Sequence, residues 1–262
     1  MRANELRAAW NEDRAALGGW LTLPSAFSAE IMAHSGFDWV CVDMQHGVID
    51  YAQMVAMLQA VSAAPVTPLV RVPWNEPGII GKTLDGGARG VIVPMVNSRA
   101  EAERAVWSCR YAPEGGRSYG PVRANYALGF DYFAHANTDV LCIVMIETRD
   151  AVARADEILS VPGVDAVYIG PADLSVTLGL QPGPDQDDAT FNDALTRVLD
   201  ACRANGVVPG IAGNQITAPK RVAQGFRLVE VASDARLLGL GAGAALKAVR
   251  GDAAGEARSA YL

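Results

Sequence analysis

The chain has 262 residues, about half of them hydrophobic, with 26 glycines and a formal net charge of −7. That length suits one closed barrel of β/α units with a large core. The acidic balance argues against nucleic acid or an anionic membrane surface as a partner. The opening Met1–Arg7 has no apolar segment of the secretory type, and no uncharged apolar run is long enough to span a membrane. Cys41, Cys109, Cys142 and Cys202 lie far apart and form no Cys-x-x-Cys. They read as reduced, structural thiols of a cytoplasmic protein.

Residues 3–16 are predicted to form a short polar helix over one end of the core. Strand 1 is expected over Gly19–Leu23, and Ser25 opens a helix that runs to His34. Trp39–Val42 reads as strand 2 and leads straight into Asp43-Met-Gln-His-Gly47; Asp50 then opens the amphipathic helix Tyr51–Val61. Strand 3, Pro68–Val72, stops at Pro73, and the helix Glu76–Leu84 precedes Asp85-Gly-Gly. Strand 4 spans Gly90–Val96, after which Ser98 caps a helix to Tyr111 with Glu101 at the capping-box position. Residues 112–130 break the rhythm: they are rich in Gly, Pro, Arg and Tyr, show no period, and read as a long functional or disordered loop. A short helix over Asp131–Ala136 leads to strand 5, Val140–Ile146, ending on Glu147, and to a helix over Arg149–Leu159. Strand 6 is the short apolar run Ala166–Ile169, broken by Gly170-Pro171; Asp173 follows, and Leu174-Ser175 turns the chain away. Helices are predicted over 190–204, 216–224 and 235–249, around strands Val207–Ala212 and Leu228–Ala232.

Eight strand-then-helix units imply right-handed crossovers and a parallel sheet. With no Gly-x-Gly-x-x-Gly after any strand, the expected fold is a (β/α)8 TIM barrel, one domain over residues 1–262. In such a barrel the C-terminal strand ends converge on one mouth. Here they carry Asp43 and His46, Arg71, Glu147 and Asp173. Two carboxylates with no cysteine and few histidines suit a hard, partly hydrated cation: Mg²⁺, Mn²⁺ or Co²⁺. Arg71 is placed to stabilise an enolate oxygen, and His46 to carry a proton near neutrality. Each residue also has a plainer reading. His46 and Asp173 could cap helices, Arg71 could pair with Asp43 or Asp85, and Glu147 could favour its following helix by charge. His34 and His135 read as surface residues. The five tryptophans read mostly as core, with Trp20 facing the mouth.

Together these stretches resemble the HpcH/HpaI aldolase and citrate lyase family, the metal-dependent pyruvate aldolases. The resemblance rests on Gly36–Gly47, Val70–Asn75, Leu84–Val96, Ile146-Glu-Thr148 and Ile169–Ser175, and runs from about residue 15 to about 245. It implies a divalent metal between Glu147 and Asp173, with the backbone around Gly170, Ala172 and Asp173 receiving a substrate carboxylate. It further implies an enolate-stabilising Arg71 and an acid/base His46 supported by Asp43 and Asp85. A homo-hexamer that exchanges its C-terminal helix is implied as well. Helix 235–249 is apolar around most of its circumference and needs cover on more than one side. Two positions depart from some members: Gln45 stands where they carry Glu, and Met145 where they carry Gln. Both bear on substrate choice. Gly115–Arg123 is similar to a loop of the branch that handles hydroxypyruvate and simple aldehydes. Arg117 or Arg123 would then reach a neighbouring mouth.

The expected reaction makes or cleaves a 4-hydroxy-2-oxo acid, through the enolate of pyruvate or hydroxypyruvate adding to an aldehyde. A lysine Schiff base is disfavoured, because Lys82, Lys220 and Lys247 fall on predicted helices. The rival readings are a CoA-thioester lyase of the same superfamily and a non-catalytic barrel that binds a metal or an oxo acid.

Overall fold

The computed structural model describes residues 4–251; residues 1–3 and 252–262 of the expected domain, including the first residue of the predicted opening helix, lie outside them. The strands are β1 Ala16–Leu21, β2 Trp39–Asp43, β3 Thr67–Arg71, β4 Gly90–Val93, β5 Leu141–Ile146, β6 Ala166–Ile169, β7 Val208–Ile211 and β8 Leu228–Ser233. The first helices are α1 Glu5–Asn11, α2 Ala26–Ala33, α3 Tyr51–Val61, α4 Pro77–Asp85 and α5 Arg99–Cys109. Next come α6 Val122–Leu128, α7 Tyr132–Asp139, α8 Arg149–Ala153, α9 Ala155–Leu159 and α10 Pro171–Thr177. The last are α11 Ala189–Asn205, α12 Ala218–Ala223 and α13 Asp234–Arg250. All eight strands pair in parallel, in chain order, and β8 closes on β1. This is the expected (β/α)8 barrel.

Strand alternation decides what the barrel presents to its interior. On β2, Val40 and Val42 pack outward against the helices, while Trp39 and Cys41 fill the interior with Leu69, Ile143 and Tyr168. Gly18 on β1 makes room for this filling, since a Cβ there would meet the Trp39 ring at 1.9 Å. The same parity runs upward. Asp43 follows Trp39 and Cys41, Arg71 follows Leu69, Glu147 follows Ile143 and Met145, and Glu230 follows Leu228. Each charged residue is therefore the next inward position above an apolar floor.

Several boundaries differ from the sequence reading. β1 starts earlier because the Ala16 N–H donates to the Arg227 carbonyl. It stops earlier because the Asp234 carboxylate captures the Thr22 and Leu23 N–H groups. Residues 112–130 are not structureless: α6 runs from Pro121 as N-cap to Gly129, and the segment before it is pinned by Arg117, which bonds Asp85 and the Tyr132 hydroxyl. Helix 149–159 is two short helices broken at Arg154. Gly170-Pro171 opens a helix, α10, rather than a plain turn. Trp39 and Trp20 are core residues, but Trp74 and Trp107 are about half exposed, at 52% and 49%. All four cysteines are free and buried, and His34 and His135 are exposed, as expected.

Candidate active site

The inward residues at the C-terminal strand ends line a cleft of ≈ 660 Å³. Trp20, Asp43, His46, Arg71, Glu147, Gly170, Ala172 and Asp173 all belong to it, joined by Met145, Tyr168 and Glu230.

On the β2–β3 side the charges satisfy one another. Asp43 and Arg71 are register partners on adjacent strands. The guanidinium grips the carboxylate twice, at 2.9 Å from Nε and 2.5 Å from Nη2. Trp20 Nε1 donates to the same carboxylate at 3.0 Å, and the Arg71 guanidinium lies 4.9 Å from the Trp20 ring centroid. Burial opposes ionisation of Asp43, but these donors outweigh it and hold its pKa below the usual carboxylate value. Asp43 also accepts the Gln45 and His46 backbone N–H groups, which shapes the loop that carries His46 over the cleft. The ion-pair reading of Arg71 is thus correct for Asp43, and the pair itself lies in the mouth. His46 is not a helix cap, because Asp50 and Gln53 form the capping box of α3. Its exposed imidazole makes no hydrogen bond among the described residues.

The β5–β6 side is unbalanced. Glu147 is only 2% exposed, and one carboxylate oxygen accepts the Met95 N–H at 2.7 Å. Met95 holds an unusual positive φ of 55° just past β4. The other oxygen faces Gly170, where a Cβ would come within 2.5 Å of it. Burial pushes the Glu147 pKa up to about 7, and the nearby Asp173 carboxylate adds to the rise against the pull of the Met95 N–H and Arg71. Thr148 caps α8, while the Glu147 carboxylate beside it accepts the Met95 N–H rather than an N–H of that helix. Asp173 is exposed in the first turn of α10, whose N-cap is Gly170, so Asp173 is not a cap either.

Two expected residues do not line this chain's cleft. Asp85 ends α4, which descends from the strand ends, so it emerges at the far end of the barrel. There it pairs with buried Arg117 at 2.7 Å. Arg123 donates to the Gly86 carbonyl at 2.5 Å and to Ser62 Oγ at 3.1 Å. The sequence reading also passed over Glu230. It accepts the Tyr168 hydroxyl at 3.2 Å, and burial pushes its pKa up to about 7. The signal was available: an acidic residue in the middle of the apolar strand Leu228-Val-Glu-Val-Ala232. Met145 lines the cleft, and Gln45 Oε1 is buried without a hydrogen-bond partner.

A closed parallel barrel with its ionisable residues gathered at the C-terminal mouth is the architecture of a barrel enzyme. The model of the HpcH/HpaI aldolase/citrate lyase family matches residues 16–239. The hydroxypyruvate/pyruvate aldolase of Rhizorhabdus wittichii is 44% identical over 90% of this chain and 94% of its own length. The 4-hydroxy-2-oxo-heptane-1,7-dioate aldolase of Shigella flexneri is 37% identical over 90% of this chain and 89% of its own. The crystal structure of a family protein from Burkholderia cenocepacia superposes with a TM-score of 0.88 at 35% identity, covering 94% of this chain and 99% of that one. The chain belongs to the HpcH/HpaI aldolase/citrate lyase family. It is an aldolase, a carbon–carbon lyase.

Proposed function

We propose that this aldolase is divalent-metal-dependent and that it makes or cleaves 4-hydroxy-2-oxo acids, with pyruvate or hydroxypyruvate as the nucleophilic partner and a small aldehyde as the acceptor. The observation that carries the reading is the Glu147–Asp173 pair, two carboxylates at one rim of the cleft that repel each other, while the hydrogen bonds of the nearby Arg71 guanidinium go to Asp43. Among the described residues no group of three or more His, Cys, Asp or Glu side chains could hold a metal. Two hard oxygen donors fit a cation that keeps water or substrate in its remaining positions, which favours Mg²⁺, Mn²⁺ or Co²⁺ over zinc. Gly170 keeps the Glu147 carboxylate free on the metal side.

A bound divalent cation would supply Lewis-acid contact to the carboxylate and oxo oxygens of the substrate. The protein's own residues carry the other roles. The Gly170, Ala172 and Asp173 backbone receives the substrate carboxylate at the start of α10, where unpaired N–H groups favour an anion. Arg71, held rigid by Asp43 and Trp20, meets the oxygen on which enolate charge collects. His46 sits where it can take a proton from the 4-hydroxyl in cleavage, and return it in synthesis. Lewis-acid chemistry also fits the lysines, none of which lines the cleft.

The chain is further read as one cytoplasmic domain that assembles into a homo-hexamer. Of α13 only Asp234 is buried, while Leu238 and Val249 are exposed at 67% and 87%. An apolar helix left this bare calls for cover by exchange with another copy. In that assembly Arg117 or Arg123 would reach toward a neighbouring mouth. A retro-aldol screen over 4-hydroxy-2-oxo acids, with and without EDTA, tests the activity. Turnover that survives exhaustive chelation defeats the metal reading. Binding of an oxo acid with no exchange of pyruvate methyl protons in D₂O points to a non-catalytic barrel. Cleavage of a CoA thioester would instead favour the lyase alternative. A monomer by light scattering at micromolar concentration defeats the assembly reading.

A further inference from the structure

We infer that Glu230 and Tyr168 form a positioning pair that aligns Arg71 through the ring of Trp20. The inference rests on the proposed role of Arg71 at the reacting oxygen, and it extends that role to two residues on the opposite wall of the cleft.

The contacts run in one unbroken series across the barrel. Glu230, the second inward residue of β8, accepts the Tyr168 hydroxyl at 3.2 Å. The Gly213 backbone N–H, just past β7, also acts on this carboxylate and favours its charged form. Tyr168 on β6 stacks on Trp20 of β1, with centroids 5.4 Å apart and planes 23° apart. Trp39 closes the edge of both rings, at 6.3 Å from Trp20 and 6.4 Å from Tyr168. Trp20 then meets Arg71 twice: directly, with the guanidinium over its ring, and indirectly, by donating Nε1–H to the Asp43 carboxylate that Arg71 grips.

This geometry gives each group a definite task. A guanidinium held by two bonds to one carboxylate can still rock about that carboxylate. A ring face beneath it removes that freedom. The ring face is useful only if it is itself immobile, and Trp20 has a hydrogen bond on one edge and Tyr168 on its face. Tyr168 is anchored by packing and by one hydroxyl, and the acceptor of that hydroxyl is Glu230. A carboxyl group in the middle of an otherwise apolar strand is costly to bury. Neither the barrel fold nor the proposed metal site requires it.

The groups that face Glu230 set its charge. Burial raises its pKa to about 7; the Tyr168 hydroxyl, Arg71 and the Gly213 N–H pull it down, and Asp43 pushes it up. Cys41, buried on the inner face of β2, and Arg71 also act on Tyr168. The carboxyl therefore changes its proton occupancy near neutrality, while remaining an acceptor for Tyr168 in both forms. Glu230→Gln keeps that acceptor and removes the charge change.

The test uses the full-length protein in three variants: Glu230→Ala, Glu230→Gln and Tyr168→Phe. Positioning acts on the transition state, so kcat for retro-aldol cleavage should fall about 10-fold in Glu230→Ala and Tyr168→Phe, with KM within about threefold of wild type. Glu230→Gln should recover kcat to within about threefold at pH 6.5, and its kcat profile should lose the change that wild type shows between about pH 6 and 8. Crystal structures of the same variants supply a readout free of any activity. In Glu230→Ala and Tyr168→Phe the Trp20 ring should shift and Arg71 should lose one of its two contacts to Asp43. Should Glu230→Ala misfold, Tyr168→Phe and Glu230→Gln still decide the matter. Unchanged kcat with an unmoved Trp20 and Arg71 overturns the inference, as does a Glu230→Gln defect as deep as that of the alanine variant. A wild-type protein with no turnover on any 4-hydroxy-2-oxo acid sinks the proposed function instead, and the crystal structures would still judge the pair.

Discussion

The two walls of the cleft solve the same electrostatic problem in opposite ways. On the β2–β3 wall, Asp43 is only 1% exposed, yet Arg71 and Trp20 satisfy it. On the β5–β6 wall, Glu147 is equally buried, but its neighbour is another carboxylate. The first has its carboxylate pKa lowered and the second has it raised. A buried charge that is paired becomes a fixed piece of scaffold. One that is left beside a like charge is stable as an ion only when a cation arrives from outside. The difference separates the wall proposed to position the substrate from the wall proposed to bind the cation.

The largest expected effect comes from breaking the binding wall. Glu147→Gln removes one anionic donor, and exhaustive chelation should mimic it; both should bring retro-aldol turnover below detection, with Mg²⁺, Mn²⁺ or Co²⁺ restoring only the chelated wild type. Gly170→Ala tests the same wall by steric means. Its methyl group would press on the Glu147 carboxylate, so metal affinity measured by calorimetry should fall even if the barrel keeps its circular dichroism.

Next in size is His46, the proposed proton carrier, on the loop after β2. His46→Ala should lower turnover by about 10²- to 10⁴-fold while metal affinity stays near wild type. Wild-type turnover in this variant would leave His46 with no chemical role. Arg71 then sharpens the contrast. Arg71→Lys keeps the charge but loses the two-point grip on Asp43, and turnover should fall by about 10²-fold, in both cleavage and pyruvate proton exchange. Arg71→Ala should also destabilise the fold by roughly 3–5 kcal/mol, because Asp43 would be left buried and alone. Equal melting temperatures for the Ala variant and wild type would contradict the scaffold role of that pair.

The smallest effect concerns pH. Glu230 has a pKa of about 7 in the folded chain, above its ordinary value of 4.5. A raised carboxyl pKa means that the folded state holds the proton more tightly than the unfolded one. Its contribution to stability is fully present below about pH 4.5 and is lost as the pH rises through about 7. The loss is of the order of 1–3 kcal/mol. Denaturation curves of the metal-free protein should show stability declining over that window, with a shallower decline in Glu230→Gln. Identical pH profiles for the two proteins would rule out Glu230 as the source.

Legibility from sequence differed among the residues for identifiable reasons. Asp43, Arg71 and Glu147 stand at the ends of apolar strands, where a change from hydrophobic to charged is visible in one dimension. Glu230 sits inside its strand, and its inward direction depends on which residues of β8 face the interior. Asp85 carries the same carboxylate as Asp43 and stands near a strand, yet it precedes β4 rather than following β3's end. The direction in which α4 runs put it at the other end of the barrel. Helix α6 escaped notice because a segment of seven residues between Pro121 and Gly129 is too short to show a period. The contacts of Arg117 in the adjoining segment come from residues remote in sequence.

By itself the sequence determined the eightfold β/α rhythm, the parallel sheet and the set of charged strand ends. Those follow from local hydrophobic period and from strand boundaries, which neighbouring residues decide. Only the tertiary structure decided the partners: that Arg71 closes on Asp43 rather than on Asp85, and that Glu230 meets Tyr168. These pairings join strands separated by tens of residues. Their charge states depend on burial, which no stretch of chain creates alone.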